Sequence, residues 1–336
     1  MKKLSILFLA SISFLGLSTK VFAGESYKIV NKFHVSGDEK WDFLFSDDAS
    51  NLLYVSHGTM VQVVDQANGK TVGTISGLNG VHGISIAPAL HKGYITSGKD
   101  SSVTIFDTQN FQVIKKVIVT GKGPDAILFD SFTKRVFVFN AKSNSATVID
   151  AASNQILSTI AFEGNPEVAV SDEQGNVYVN LENKSSIVQI NATEMKVEKQ
   201  WSLAPGEEPT GLALDKETHL LFSACANKLM VISDAKNGKT LSTLPIGEKP
   251  DGAAFDNKLK NAYSSNGDGT LTIIKESAKG KLAVIENFST QKGARTIAVN
   301  QLTHHIYLPT ADYETNTGDK RKLVSGSFVV LDVLPQ

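Results

Sequence analysis

Short apolar runs broken by small turn-forming clusters recur along the chain. One stretch shows four in succession: AILFD (126–130), RVFVFN (135–140), ATVID (146–150) and QILSTIAF (155–162). The breaks between them are SFTK, AKSNS and AASN, rich in serine, asparagine and lysine, which favour turns. The inner runs are apolar at nearly every position instead of alternating. That pattern predicts strands buried on both faces, as in a sheet stacked between neighbouring sheets.

The four-run pattern repeats. Residues that follow each glycine-containing turn align as Asp42, His82, Asp125, Glu167, Thr210, Asp251 and Arg295, at intervals of 40, 43, 42, 43, 41 and 44. The ends of the third runs, Asp65, Asp107, Asp150, Asn191, Ser233, Lys275 and Asp332, keep the same period until the last unit. There an insertion of about 15 residues is required to accommodate the repeat. Seven four-stranded units of this length predict an all-β, seven-bladed β-propeller of antiparallel blades. A stacked solenoid would need polar capping repeats, and none is evident. The last unit ends in SFVVLDVLPQ (327–336), a third strand with no fourth after it. YKIVNKFHV (27–35) precedes the first unit and matches an outermost strand. The N-terminal strand is therefore expected to complete the last blade, which closes the ring and removes an exposed edge.

The segments LLYVSHGTMVQVVDQANGKTVGTI (52–75), RVFVFNAKSNSATVIDAASNQILSTI (135–160) and NVYVNLENKSSIVQIN (176–191) resemble the YVTN-type propeller repeat. The turns GKGPDAI (121–127) and GEKPDGA (247–253) resemble its Gly-x-x-Pro-x-Gly start. The chain is thus similar to the YncE-like family of exported seven-bladed propellers. Unit one begins with EKWDFLF and unit seven with GARTIAV, both off the pattern, and Lys275 replaces the usual aspartate. The resemblance implies the fold; propellers host many chemistries and many binding roles, so it implies no reaction.

Residues 1–23 have the form of a cleaved export signal: Lys2 and Lys3, an apolar run from Leu4 to Leu17, then Val21 and Ala23 before the cut. A single propeller domain over 24–336 follows, and a periplasmic or secreted address is expected. No later segment is apolar enough to insert stably into a membrane. The single cysteine, Cys225, excludes an intrachain disulfide and a CxxC centre. A formal charge of −1, which becomes −4 without Lys2, Lys3 and Lys20, argues against a duplex-DNA binder. Nucleic-acid binding has weak support from KRK (320–322), a basic patch without interleaved aromatics. No amphipathic helix or apolar stripe demands an oligomer, so a monomer is expected.

Chemistry is expected where repeat geometry gathers polar residues. In a blade, the start of the first strand and the end of the second lie on one face beside the channel. The expected ligand-binding set at that mouth is Asp42, His57, His82, Asp125, Glu167, Asp251 and Arg295, with Ser97, Asn140, Glu182, Asn266 and Thr310 nearby. Three readings stay open. His82, Asp125, Glu167 and Asp251 form a candidate divalent-metal or small-ligand site, a mixed set suited to manganese, zinc or iron. A carboxylate or His82 can instead serve as general base beside Arg295, in a metal-assisted lyase or lactonase-type enzyme. The third reading is plain polar lining of a wet channel. The insertion at 310–327 is placed on the same face; Asp312, Tyr313 and Glu314 make it a candidate lid or partner contact, or mere decoration. The function expected is a binding module or scaffold engaging a small molecule or a protein partner.

Other features carry less. Trp41 beside Asp42 fits mouth or core equally. His304 and His305 are adjacent in sequence and so point apart, which disfavours a shared metal. Cys225 lies in an apolar stretch, which argues for an inert thiol.

Overall fold

The computed structural model describes residues 26–278, 280–314 and 322–336. Within them lie seven four-stranded antiparallel sheets, with local strand order and no helix longer than a three-residue turn. They are the seven blades expected from the repeat. The inner strands of blades one to six are Trp41–Asp47, Val81–Ala87, Pro124–Asp130, Pro166–Ser171, Pro209–Asp215 and Pro250–Asp256. Blade seven has the short inner strand Ala298–Val299, followed by Ile306–Thr310 and Val329–Pro335. The export segment 1–23 lies outside the described residues. No described helix is long and apolar enough to cross a membrane.

Second and third strands in each blade are almost wholly buried, as their unbroken apolar runs require. Phe137, Phe139, Ala146 and Val148 of blade three pack on Val177, Val179, Val188 and Ile190 of blade four. Each such interface removes apolar surface from water on both faces of a strand, which is the main stabilising term. Outer strands meet solvent and read as mixed: VIKKVI (113–118) buries only Val117.

Closure is as expected. Tyr27–His34 pairs antiparallel with Val329–Pro335, from Tyr27 opposite Pro335 to His34 opposite Val329, with one bulge between Ile29 and Asn31. Blade one then packs on blade seven through Leu53, Val55 and Val64 against Tyr307 and Val330, with Phe33 and Trp41 in the same cluster.

Candidate functional site at the channel mouth

The aligned residues of blades one to six, Asp42, His82, Asp125, Glu167, Thr210 and Asp251, are each the second residue of an inner strand. All six sit where the register with the second strand slips: the ladder breaks between Trp41 and Leu44, and correspondingly in the other five blades. Such a bulge re-aims a side chain that regular pleating would send into the sheet. The backbone is pinned from the neighbouring blade. Thr96 Oγ1 donates to the Asp125 carbonyl at 2.6 Å, Asn180 Nδ2 to that of Thr210 at 3.1 Å, and Ser265 Oγ to that of Arg295 at 2.5 Å. Thr296 Oγ1 of blade seven donates to the Asp42 carbonyl at 2.7 Å. Buried hydroxyls and amides of one blade thus set the mouth residues of the next.

Blades one, two and three bring their ring residues together. Asp42, His82 and Asp125 each offer a ligand atom within 4.8 Å of the others. His82 Nδ1 donates to Asp42 Oδ2 at 2.6 Å and lies 3.7 Å from Asp125 Oδ1. Arg295 continues the chain on the other side, ion-paired with Asp251 and 3.7 Å from Asp42 Oδ1. The order around the ring is then acid, base, acid, base, acid: Asp251, Arg295, Asp42, His82, Asp125. Glu167 follows Asp125 with no base between them.

Proton affinities follow from that order. Burial would pull the His82 imidazole down, but the bond to Asp42 and the charges of Asp125 and Asp42 outweigh it, so it ends above its ordinary value. Desolvation and the charge of Asp42 push Asp125 up to about 6, against the pull of His82 and Arg295. Burial beside Asp125, Glu182 and Asp42 pushes Glu167 up to about 8.

Asp42, His82, Asp125 and Arg295 face a cavity of about 680 Å³, bounded also by Glu39, with Lys40, Lys99 and Lys142 around it; Glu167 and Asp251 lie outside its lining. The three lysines are exposed and form no ion pair among the described residues. An acidic and imidazole floor thus lies beneath a basic rim. Sequence reading passed over these lysines, although Lys99 and Lys142 share one repeat position, two residues beyond Ser97 and Asn140 at the second-strand ends.

Several expected members are placed elsewhere. His57 is fully buried, its Nδ1 at 3.0 Å from Gln62 Oε1 and its Nε2 at 2.8 Å from the Glu39 carbonyl. Its ring packs against Phe328 at a 32° tilt, with ring centroids 4.3 Å apart. It holds the loop before blade one and offers no free nitrogen to a ligand. Glu167 and Asp251 fall outside the close trio, which takes Asp42 in their stead. Ser97, Asn140, Asn266 and Thr310 are buried beneath the mouth, and Glu182 begins a short turn just past its strand. Trp41 serves both expected roles, packing in the core and bordering the cavity. His304 and His305 turn to different carboxylates, Asp256 at 2.7 Å and Asp332 at 2.6 Å. Cys225 is buried and its thiol is pushed up to about 12 by desolvation.

The blade-seven insertion starts as a small hairpin. Tyr313 bridges to Leu323, Glu314 N–H donates to the Lys322 carbonyl at 2.8 Å, and Val324 N–H to the Asp312 carbonyl at 2.9 Å. Tyr313 meets Trp41 with ring centroids 6.4 Å apart, and Asp312 accepts from Gln291 Nε2 at 3.0 Å. Residues 315–321, including Lys320 and Arg321 of the basic patch, lie outside the described residues.

The fold and mouth define a β-propeller scaffold with an ionisable channel entrance. No family model matches the chain. A 104-residue segment, 31% of this chain, is 26% identical to an uncharacterized protein YncE of Salmonella typhimurium and spans 29% of that relative. Among solved structures, hydrazine synthase of Kuenenia stuttgartiensis is similar in fold, with a TM-score of 0.69 at 18% identity over 82% of this chain and 94% of that one. The partial match and the seven-bladed ring agree with a YncE-like propeller family.

Proposed function

We propose that this chain is an exported binding propeller, periplasmic or secreted, whose channel mouth takes a divalent cation together with a small anionic molecule. The observation that carries the reading is the meeting of Asp42, His82 and Asp125 within 4.8 Å inside one cavity, under a rim of three lysines that form no ion pair among the described residues. Two carboxylates and one imidazole suit manganese, zinc or iron better than calcium, which prefers oxygen alone. The lysines and Arg295 supply the field that draws an anion toward the mouth.

A metal-assisted lyase or lactonase-type activity is the second reading. Asp125 at about 6 and Glu167 at about 8 favour it, because general acids and bases work best near the ambient pH.

The test is elemental analysis of protein exported to a periplasm and purified without chelator or a metal-affinity tag. Near-stoichiometric metal that disappears in His82→Ala is expected. A metal-free wild type that also takes up none on dialysis against Mn²⁺ would leave the trio as an ion-paired lining of the channel.

A further inference from the structure

A second, smaller cavity of about 230 Å³ adjoins the mouth, bounded by Lys40, Trp41, Arg295, Tyr313 and Leu323. It shares Lys40, Trp41 and Arg295 with the larger one, so the two form a chamber and an annex. The walls of the annex differ in kind from the floor of the chamber. Trp41 and Tyr313 face each other at a 48° tilt, Leu323 adds apolar surface, and two cations stand at the edge shared with the chamber. Its outer wall is the hairpin stem, which is anchored to the loop before blade one: Ser325 Oγ and Gly326 N–H donate to Asp38 at 2.5 and 2.7 Å.

Trp41 is only 8% exposed, and its indole Nε1 is buried with no hydrogen-bond partner among the described residues. Buried indole N–H groups normally find an acceptor, and an orphaned one costs the desolvation of that group. Around Trp41 pack Phe328, with ring centroids 5.1 Å apart, and Tyr313 and Leu323, whose bridge to each other holds the hairpin stem together.

We infer that the annex is a specificity subsite for an aromatic carboxylate, with the ring against Trp41, Tyr313 and Leu323 and the carboxylate at Lys40 and Arg295. This rests on the reading of the mouth as an anion site and adds the class of molecule it takes. Aromatic pairing supplies selection beyond area, since offset and tilted ring contacts add to burial. Lys40 supplies charge and forms no ion pair among the described residues.

The chain has two tryptophans, so Trp201→Phe leaves Trp41 as the sole indole reporter. Phenylacetate titrated into that variant is expected to change the Trp41 emission saturably. Butyrate is expected to bind about tenfold more weakly. Tyr313→Ala should erase this preference while leaving Mn²⁺ uptake intact, whereas Lys40→Gln should weaken both acids alike. Equal response to phenylacetate and butyrate, or an undiminished preference in Tyr313→Ala, overturns the inference. Mn²⁺ uptake without any phenylacetate response rejects the annex alone; phenylacetate selection without Mn²⁺ uptake rejects the cation site and leaves the annex standing.

Discussion

Aspartates stand at both ends of the same inner strands, and the two ends treat them in opposite ways. In blade three, Asp130 closes the strand that Asp125 opens. Asp130 is fully buried, accepting from Ser171 Oγ at 2.6 Å, Thr133 N–H at 2.9 Å and Thr133 Oγ1 at 2.5 Å. Asp256, at the far end of blade six, accepts from the N–H groups of Lys258 and Leu259 at 3.0 and 2.8 Å and meets His304 at 2.7 Å. Asp215 stays below its ordinary value although burial pushes it up, because Thr218, the Glu217 N–H and Lys260 outweigh desolvation. These partners come from turns and from the next blade, so the far-end aspartates tie the ring together.

At the mouth, Asp125 faces His82 at 3.7 Å and has no such set of donors among the described residues. The charges of His82 and Arg295 offset only part of its desolvation, and its proton affinity rises to about 6. The same residue type is thus spent on structure at one end and kept reactive at the other. The cavities differ too: the far end has one of about 250 Å³ bordered by Leu128, Phe129, Leu214 and Phe255, with a single exposed ion pair, Lys216 to Glu173 at 2.8 Å, where the mouth has a chain of five charged groups.

The sharpest way to break this contrast is to remove one aspartate from each end. Asp256→Ala strands two turn N–H groups and His304, and should lower stability by about 2–4 kcal/mol in urea unfolding. Asp125→Asn leaves no satisfied network behind and should change stability by less than about 1 kcal/mol. Comparable losses from both would show that the mouth is structural too.

A smaller effect comes from Glu167. In the folded chain it keeps its proton to about 8, against an ordinary 4.5. Between those values the native state holds the extra proton, so this group's contribution to stability falls as pH rises through the window. Glu167→Gln removes the titration. A gain of about 1–2 kcal/mol over wild type is expected near pH 9, vanishing near pH 4, when unfolding is followed at both.

The smallest effect sharpens the contrast from the ligand side. A cation must displace protons from His82, held above its ordinary value, and from Asp125 at about 6. Mn²⁺ affinity should therefore increase as pH rises from about 6 to 7, by about twofold for the Asp125 proton and by up to about tenfold for the His82 proton, in calorimetric titrations across that range. A flat profile would remove these two groups from the binding reaction.

The ring and its closure were legible because the repeat has a fixed period and the two ends of the chain complement each other. Period alone also placed Asp42, His82 and Asp125 on one circle. It could not say which members meet, because that depends on where each bulge aims its side chain and on Arg295 drawing Asp251 to itself. His57 was misplaced for a related reason: the end of a second strand lies close to the mouth, yet its side chain there turns inward to Gln62. The Lys99 and Lys142 rim was open to detection, since both occupy the same repeat position, but charged turn residues look like ordinary solvated surface.

The most direct measurement is calorimetric titration of Mn²⁺ into the wild type and Asp125→Asn near pH 7.5, a pH above the Asp125 transition. A single ion per chain in the wild type, lost in a variant that unfolds at the same urea concentration, is the predicted result. Equal uptake by both proteins, or uptake by neither, would contradict the assignment of the mouth as a cation site.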